Sequence, residues 1–408
     1  VSFDPPIPDQ VPSYFKTVNR TVKGDLKFGV VSCNEYSVLV SKQPQADLWA
    51  DLSKKIDDLQ LDYLIHIGDQ VYLDMGFAEN KGIFNVGVNN SKPYPVIMNI
   101  LANTPREQWA NKTPELLEII KDEYRRAWSF PSVKAVLAKI PSLMMADDHE
   151  IRDDWGFLDK DWDPNSPDYF YGNLARIVLY KYQRQLRQDI DFNNLSSIER
   201  EYFYWTINGV GFYFMDYRGV RTWHRNETDI RGSQIGAKQK DFITNLLSEN
   251  GAFSNVSSFI IVSTNPLFLI SSDLTRFGEL FFNDLNEAWV NQHSDELVWL
   301  LGLMKTWKNA KPGREVMAIC GDIHMGGKSN IFHNGQIIFK QFTSSSIASF
   351  PPPDFIFDVF TRLRGASYSA YSYEHYGWTN KFVYGLVASR VRNGSTSLDA
   401  FLVAANEN

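Results

Sequence analysis

The hydrophobic pattern of this chain consists of short apolar runs that alternate with longer segments of helical periodicity. Leu61–Ile67 is apolar and ends abruptly at Gly68-Asp69, which is typical of a buried parallel strand. An earlier strand is predicted over Leu26–Ser32, and Gln43–Leu59 between the two has apolar residues at helical spacing. A strand, a helix and a strand over this distance form a βαβ unit, so the two strands are predicted to be parallel.

Similar patterns predict the remaining elements. Met75–Pro95 is interpreted as a long loop, and the segment after Gly365 as added strands or wrapping loops. Asn208-Gly209 is a strong two-residue turn signal and predicts a hairpin. Further strands are predicted over Ser142–Ala146, Tyr202–Ile207, Gly211–Asp216, Ser258–Thr264, Glu315–Cys320 and Gln336–Phe342. Helices are predicted over Thr104–Trp128, Ser132–Lys139, Asp168–Asp189, Lys238–Ser248 and Asp295–Trp307.

The composition indicates a globular protein without a nucleic-acid-binding surface. Hydrophobic residues make up 44% of the 408 residues, and the net charge of −7 comes without a basic cluster, which argues against a nucleic-acid partner. No apolar run approaches the ~20 residues that span a bilayer. The absence of a first Met and the presence of N-glycosylation triplets favour a processed, secreted or extracellular glycoprotein, with the cell surface or the vacuole as narrower locations. The acceptor residues are Asn19, Asn89, Asn111, Asn194, Asn226, Asn255 and Asn393.

Four of the predicted strands end in side chains that can bind metal ions. Burying carboxylates together is costly unless cations compensate their charge, so this recurrence predicts metal ions at the carboxyl ends of the strands. Taken singly, each group has a structural alternative, such as an Asp that caps a helix or a Tyr that packs in the core. The groups are Cys33 and Asn34, Asp69 and Tyr72, Asp147, Asp148 and His149, and Asp322 and His324.

The mixture of donor atoms predicts two kinds of metal site. A phenol and a thiol must lose their protons to bind, which requires a strongly polarising ion such as ferric iron. Carboxylate and amide oxygens suit calcium, magnesium or manganese, and zinc suits a set of Asp and His. The two cysteines, Cys33 and Cys320, do not form a disulfide scaffold; they could pair with each other, remain buried thiols, or leave Cys33 to bind metal.

Six motifs between Phe28 and Ser346 occur in an order that is similar to a known enzyme family. They are FGVVSCN, HIGDQVY, DDHE, DYR, CGDIH and FTSSS. Together they resemble the PhoD-like (alkaline phosphatase D) family of the calcineurin-like metallophosphoesterase superfamily. The resemblance implies an α/β (α+β) fold, in which a β-sandwich core is flanked by helices and metals lie at the carboxyl ends of strands.

The resemblance also implies a role for each candidate ligand. Asp69 would bridge two metal ions, and iron with calcium is expected, with zinc or manganese as the alternative. Within the DDHE motif, Asp148 is preferred as the ligand because it aligns with the ligand of the related G-N-H-E motif. Cys320 stands where relatives often carry Ser, so a disulfide between Cys33 and Cys320 is the alternative to metal binding by Cys33. The ferric site would be completed by Cys33, Tyr72 and His324, and the second site would be held by Asp148, Asp322 and Asn34.

Three further residues are candidates for contact with a phosphate. His149 is expected to protonate the leaving group or to orient a carboxylate. Arg218 is expected either to bind a phosphate oxygen or to pair with Asp216. Asn265 either contacts the phosphate or forms the turn before Pro266.

The expected function is hydrolysis of phosphate monoesters or diesters by a metal-activated water. The substrate is expected to be a small phosphate ester or, as an alternative, a phospholipid headgroup cleaved as by phospholipase D. A catalytically silent metal-binding protein on the same scaffold is the alternative of another class. The expected organisation is an extended arm over residues 1–25, a catalytic domain over 26–350 with a helical insertion around 100–140, and wrapping strands and loops of the same domain over 351–408.

Overall fold

The computed structural model describes most of the chain. The described residues are 25–40, 47–77, 86–88, 90–156, 158–195, 201–219, 233–270, 289, 294–362, 365–393 and 395–405. The predicted arm, apart from its last residue, and the glycosylation acceptors Asn19, Asn89 and Asn226 lie outside these ranges.

Two β-sheets form the centre of the molecule. The first contains β1 (Leu26–Val31), β2 (Tyr63–Ile67), β5 (Ser142–Met145), β14 (Val383–Arg392) and β15 (Ser395–Ala404). The second contains β6 (Phe203–Ile207), β7 (Val210–Phe214), β8 (Ser258–Ser263), β9 (Glu315–Cys320), β10 (Gly326–His333), β11 (Gln336–Ser344), β12 (Gly365–Tyr368) and β13 (Tyr371–Thr379). The strand orders are β15-β14-β1-β2-β5 and β12-β13-β10-β11-β9-β8-β7-β6. A separate two-stranded ribbon consists of β3 (Met75–Phe77) and β4 (Val86–Val88).

Helices cover the outer faces of the sheets. They are α1 (Tyr36–Val40), α2 (Leu48–Leu59), α3 (Pro93–Ala102), α4 (Trp109–Ser129), α5 (Pro131–Leu137), α6 (Pro167–Tyr182), α7 (Gly236–Leu247), α8 (Ser294–Asn309) and α9 (Asp354–Arg362). Short 3-10 turns lie at Arg106–Gln108, Asp159–Asp161 and Arg184–Leu186. None of the described helices is long and apolar enough to cross a membrane.

The two sheets pack face to face through alternate apolar side chains. Phe28 of β1 meets Phe212 of β7 with ring centroids 5.2 Å apart, and Phe214 belongs to the same buried cluster. Tyr213, between the two phenylalanines in sequence, belongs to a second cluster with apolar residues of α7 and α8. This alternation is the period of two expected of a strand that is buried on both faces.

The structure confirms the predicted fold class and corrects some predicted elements. β1 and β2 are parallel, with Phe28 opposite Tyr63, and Asn208-Gly209 connects β6 and β7 as an antiparallel hairpin. The predicted loop over Met75–Pro95 is wrong in part, because it contains the β3–β4 ribbon and the start of α3. β10 was not predicted, because its glycines and polar residues dilute the β-favouring pattern.

The parallel strands of both sheets end at one place. The Ser32 hydroxyl, just after β1, donates to the carbonyl of Ser344 at the end of β11 (3.1 Å). A Cβ added to Gly321, just after β9, would lie 2.8 Å from the Ser32 Oγ and 3.1 Å from the carbonyl oxygen of Ile67 at the end of β2. Because parallel strands place their carboxyl ends at the same edge, the side chains that follow them meet in one crevice.

Candidate metal centre

The loops that follow β1, β2 and β5 are in direct contact. The Asn34 N–H donates to the Asp69 carbonyl (2.8 Å), and the Cys33 N–H donates to the Gly68 carbonyl (3.4 Å). Gly68 has a φ of +77°, and a Cβ at this position would lie 2.4 Å from the Cβ of Asp147. Both the backbone conformation and the close approach of the loop after β5 therefore require glycine here.

Four candidate ligands have left-handed backbone conformations. Their φ angles are +56° at Cys33, +56° at Asp69, +67° at Asp322 and +54° at His324. Such a conformation costs a residue other than glycine roughly 1–2 kcal/mol. Local strain of this kind is typical of functional sites, where the surrounding structure holds the residue in place.

One half of the centre combines a thiol, a phenol and an imidazole around a shared carboxylate. The Asp69 Oδ2 lies 3.5 Å from the Cys33 Sγ and 3.2 Å from the Tyr72 hydroxyl. The same hydroxyl is 3.1 Å from the Nε2 of His324. The His324 Nδ1 is 2.9 Å from the Phe350 carbonyl, which can only accept, so Nδ1 carries the proton and Nε2 keeps its lone pair for a metal ion.

The other half contains four carboxylates and one guanidinium. One oxygen of each carboxylate lies within 4.8 Å of the others, and the carboxylates are Asp69, Asp147, Asp148 and Asp322. The Arg218 Nε donates to Asp147 Oδ1 (2.5 Å), and its Nη2 lies 3.6 Å from Asp148 and 4.0 Å from Asp322. The crowding predicted from the strand ends is therefore present in the structure. Asp216, the alternative partner of Arg218, instead accepts the backbone N–H groups of Arg218 and Gly219.

Burial and mutual repulsion raise the pKa of the acidic groups in the centre. Burial, followed by the charges of Asp69 and Asp322, raises the pKa of the Cys33 thiol well above its ordinary value. Burial and neighbouring carboxylates also raise the pKa of Asp69 and Asp322 well above the ordinary value, although His149 opposes the shift at Asp69 and Arg218 opposes it at Asp322. One guanidinium does not compensate this much potential negative charge, so the cluster favours additional cations.

The carboxylate of Asp69 leaves one oxygen without a hydrogen bond. Asp69 is 1% exposed, and its Oδ1 has no hydrogen-bond partner in the described part of the chain. A buried carboxylate oxygen without a donor is costly. Together with the thiol, phenol, imidazole and carboxylate donors around it, this oxygen fits a metal centre.

His149 is held between Tyr72 and two aspartates. Its ring stacks on the Tyr72 ring with centroids 4.1 Å apart. Its Nδ1 lies 2.9 Å from Asp74 Oδ1, and its Nε2 lies 3.9 Å from Asp153 Oδ1. Burial lowers the pKa of His149, but the charges of Asp74, Asp148 and Asp69 outweigh it and raise the pKa well above the ordinary value. The geometry is that of an imidazolium that can hold or donate a proton.

Two further candidate residues, Asn34 and Asn265, follow strands β1 and β8. The amide of Asn34 is occupied, because its Oδ1 accepts from the indole of Trp49 (2.9 Å) and its Nδ2 donates to the Gln70 carbonyl (3.1 Å). Asn265 is buried and follows β8, next to the end of β9. The structure therefore brings Asn34 to the crevice with its amide directed at other partners, and Asn265 to the neighbouring strand end.

A carboxylate that the sequence-based reasoning passed over connects two of the ligand loops. Glu150 is fully buried, and its Oε2 accepts the N–H groups of Asp69 (3.0 Å) and Asp147 (2.8 Å). Its Oε1 accepts from the Gln70 N–H (2.6 Å) and from the side chain of Gln183 (3.2 Å). The only sequence signal for this role is its place as the last residue of DDHE. Asp74, the partner of His149, was passed over in the same way.

The sequence matches the family model of PhoD-like phosphatases over residues 28–399. The chain belongs to the PhoD-like phosphatase family. Members of this family are metal-dependent phosphatases, and the clusters of potential ligands described above agree with that requirement.

Comparisons with solved structures show that the PhoD-like chain shares the fold of PhoD. The structure of PhoD matches with a TM-score of 0.58 and 13% identity, covering 95% of this chain and 71% of that one. GAP50, described as the anchor in the inner membrane complex of Plasmodium, matches with a TM-score of 0.42 and 10% identity, covering 95% of this chain and 90% of the other. A comparison with curated proteins found no significant match.

The two cysteines of this PhoD-like chain are both free and buried. The alternative of a Cys33–Cys320 disulfide is therefore wrong for this structure. The Cys33 Sγ lies 3.0 Å from the Ser345 hydroxyl and 3.4 Å from the Ser32 hydroxyl, beside Asp69. A thiol in this position is available as a metal ligand.

Proposed function

We propose that this protein hydrolyses phosphoric esters, either monoesters or diesters, with a metal-activated water as the nucleophile. The observation that supports the proposal most directly is the buried, unpartnered Oδ1 of Asp69 at the junction of the two groups of donors. When bound, a pair of metal ions would lower the pKa of a water and offset the charge that develops on the phosphoryl group. A hydrolase of this kind needs no covalent enzyme intermediate.

The ligand assignment follows the two halves of the centre. Asp69 would bridge both ions, since its carboxylate belongs to both groups of donors. Ferric iron suits the thiolate and phenolate of the first half, and calcium suits the carboxylates of the second, with zinc or manganese as alternatives. We assign Asn34 a supporting role, because its amide oxygen is bonded to Trp49. The first half comprises Cys33, Tyr72 and His324, and the second comprises Asp148 and Asp322, with Asp147 as an additional candidate.

The remaining residues would handle the proton and the phosphate oxygens. Asp74 holds the Nδ1–H of His149, so the proton on Nε2 can be donated to the departing oxygen of the ester. Arg218 would bind a phosphate oxygen with the guanidinium nitrogens that now face the carboxylates. Asn265 is the candidate for a further contact at the neighbouring strand end.

Substitution of Asp69 by Asn tests this assignment. We expect Asp69→Asn protein to lose bound metal and to lose hydrolysis of aryl phosphate monoesters and diesters by more than about 100-fold, because the shared ligand is neutralised. Elemental analysis, ester hydrolysis and circular dichroism would measure metal content, activity and fold. Asp58→Asn, at an exposed position of α2, is the matched control and should behave like the wild type.

The outcomes separate the candidate functions. Normal hydrolysis by Asp69→Asn protein would show that the site assignment is wrong. A wild-type protein that holds its metals and yet turns over neither class of ester would favour the silent metal-binding alternative. Ferric iron bound to a phenolate or thiolate absorbs visible light, whereas zinc leaves the protein colourless, so an absorption spectrum of the untreated protein would identify the type of metal.

A further inference from the structure

A cleft opens beside the carboxylate half of the metal centre. Together with the open solvent at its mouth, it encloses about 740 Å³. Asp147 and Arg218 form the side next to the metal centre, and Arg176 and Arg187 also line it. None of the proposed chemistry uses the last two residues.

Arg176 presents a charge that the described residues leave without an ion pair. It lies on α6, four residues before Tyr180, so both side chains share one face of the helix. Its Nη2 donates to the Tyr180 hydroxyl (3.0 Å), and the guanidinium lies 5.9 Å from the centroid of the Tyr180 ring. Within the described parts of the chain, no carboxylate oxygen lies within 4.0 Å of it.

Arg187 is almost completely buried and incompletely satisfied. Its side chain is 8% exposed, and its Nε has no hydrogen-bond partner in the described residues. Its Nη2 is 3.4 Å from Glu201, and its guanidinium lies 3.8 Å from the centroid of the Phe203 ring. Burial lowers the pKa of Arg187 to about 10. A buried guanidinium with an unused donor is unfavourable unless an acceptor completes its hydrogen bonds.

The acidic residues in the cleft satisfy the two guanidiniums only in part. Glu201 lies 3.4 Å from the Nη2 of Arg187 but also accepts from Arg184, and the other acidic residues accept hydrogen bonds from other donors. Among the described residues, this leaves the Nε of Arg187 without an acceptor and Arg176 without a carboxylate within 4.0 Å. The other pairs are Asp147 with Arg218, Asp161 with Arg152, and Asp216 with the backbone N–H groups of Arg218 and Gly219.

We propose that this cleft binds the leaving group of the substrate and that the leaving group carries a second anion, a carboxylate or a phosphate, held by Arg176 and Arg187. The placement of the reacting phosphoryl group at the metal centre rests on the proposed function. Guanidinium groups bind carboxylates and phosphates through paired N–H donors. Trp162 and Tyr169, which also line the cleft, supply flat walls for the carbon chain between the two anions.

Non-hydrolysable ligands test the inference independently of turnover. Binding of a series from 3-phosphonopropionate to 6-phosphonohexanoate to the metal-loaded protein would be measured by calorimetry, each against the alkylphosphonate of equal length. We expect the best carboxylated ligand to bind about tenfold more tightly than its partner, the equivalent of one charge-assisted hydrogen bond. Arg176→Gln should remove this difference while leaving alkylphosphonate binding unchanged. Lys181→Gln, an exposed charge on the same helix, is the matched control and should keep the difference.

The results distinguish the inference from the proposed function. Equal binding of both members of every pair by the wild type, or equal weakening of both by Arg176→Gln, would overturn the second-anion subsite. Selective binding of carboxylated ligands by a protein that hydrolyses no ester would support the subsite and refute the hydrolase. Among ester substrates, Arg176→Gln should raise KM for those with an anionic leaving group and leave KM for aryl phosphates within about twofold of the wild type.

Discussion

At the scale of single residues, the metal centre depends on side chains that position the ligands as well as on the ligands themselves. Glu150 accepts the N–H groups of Asp69, Gln70 and Asp147, and so it fixes the loops after β2 and β5 relative to each other. Asp74 plays the same part for His149 by orienting its ring. Side chains that hold the ligands through hydrogen bonds determine how precisely a metal site is built.

Substitution of Glu150 by Gln should therefore loosen the centre without removing a ligand. The amide places an NH₂ group against backbone N–H donors, so we expect a loss of about 2–3 kcal/mol in the free energy of unfolding. We also expect weaker metal binding by about 10–100-fold. Urea unfolding and metal titration would measure these changes, with the exposed Glu249→Gln as control. Unchanged metal affinity would mean that Glu150 acts only in folding.

At the scale of elements, the site lies where the loops after two strands approach so closely that the contact point has room only for glycine. Gly68 begins the loop after β2 and lies against Asp147, the first ligand candidate after β5. Gly68 and Asp69 both have positive φ, so the conformation of this turn sets the direction of the Asp69 side chain. The geometry of the turn and the position of the ligand are thus linked.

A comparison of Gly68→Ala with Gly335→Ala distinguishes the stability cost of the close contact between the loops from the cost of the left-handed backbone conformation. Both glycines have a φ of +77°, but a Cβ at Gly335 meets nothing within 4 Å. Gly335→Ala should cost about 1–2 kcal/mol of stability for the left-handed conformation alone. Gly68→Ala should cost about 2–3 kcal/mol more, because the loops must move apart, and it should also lose metal. Equal effects in denaturant unfolding would show that the loops are not in tight contact.

At the scale of the whole molecule, buried hydrogen bonds connect parts of the second sheet that are far apart in sequence. His375 of β13 faces Ser329 of β10, with its Nδ1 2.7 Å from the Ser329 hydroxyl. Its Nε2 is 2.7 Å from the carbonyl of Leu269, which follows β8. The carbonyl must accept, so the Nε2 of the ring carries a proton. Burial lowers the pKa of His375 to about 4.

This histidine should contribute to acid unfolding. Because its pKa is lower in the folded state than in the unfolded state, its stabilising effect is complete above about pH 6.5 and is lost as the pH falls toward 4. Between pH 7 and pH 5 the wild type should lose about 2 kcal/mol more of its unfolding free energy than His375→Gln protein. Urea unfolding at each pH would measure this. Between pH 8 and pH 7 the two proteins should change nearly in parallel, and parallel change below pH 7 as well would contradict the prediction.

The strands and helices with strong local patterns could be predicted from the sequence. β1, β2 and β9 were predicted within two residues at each end, because short apolar runs followed by polar residues are a local property of the chain. α3 and β10 were missed, because prolines in the first and glycines in the second obscure the periodic pattern. Tertiary packing compensates for these weak local signals.

The candidate site likewise has features that could be predicted from the sequence and features that could not. That Cys33, Asp69, Asp148 and Asp322 follow apolar strands could be read from the sequence, and the rule that parallel strands share an edge was enough to expect them together. The bond between the Asn34 amide and Trp49 could not be predicted, because the two residues belong to different elements whose relative placement depends on packing.

The sequence by itself determined the class of fold, the family and the kinds of donor atoms that meet at the sheet edge, because these follow from local patterns and from motifs in a fixed order. The tertiary structure alone decided which oxygen of Asp69 lacks a partner, that Glu150 joins two loops, and that Arg176 and Arg187 line one cleft. These depend on distances of a few ångströms between segments far apart in the chain, and those distances are set only when the sheets and helices pack together.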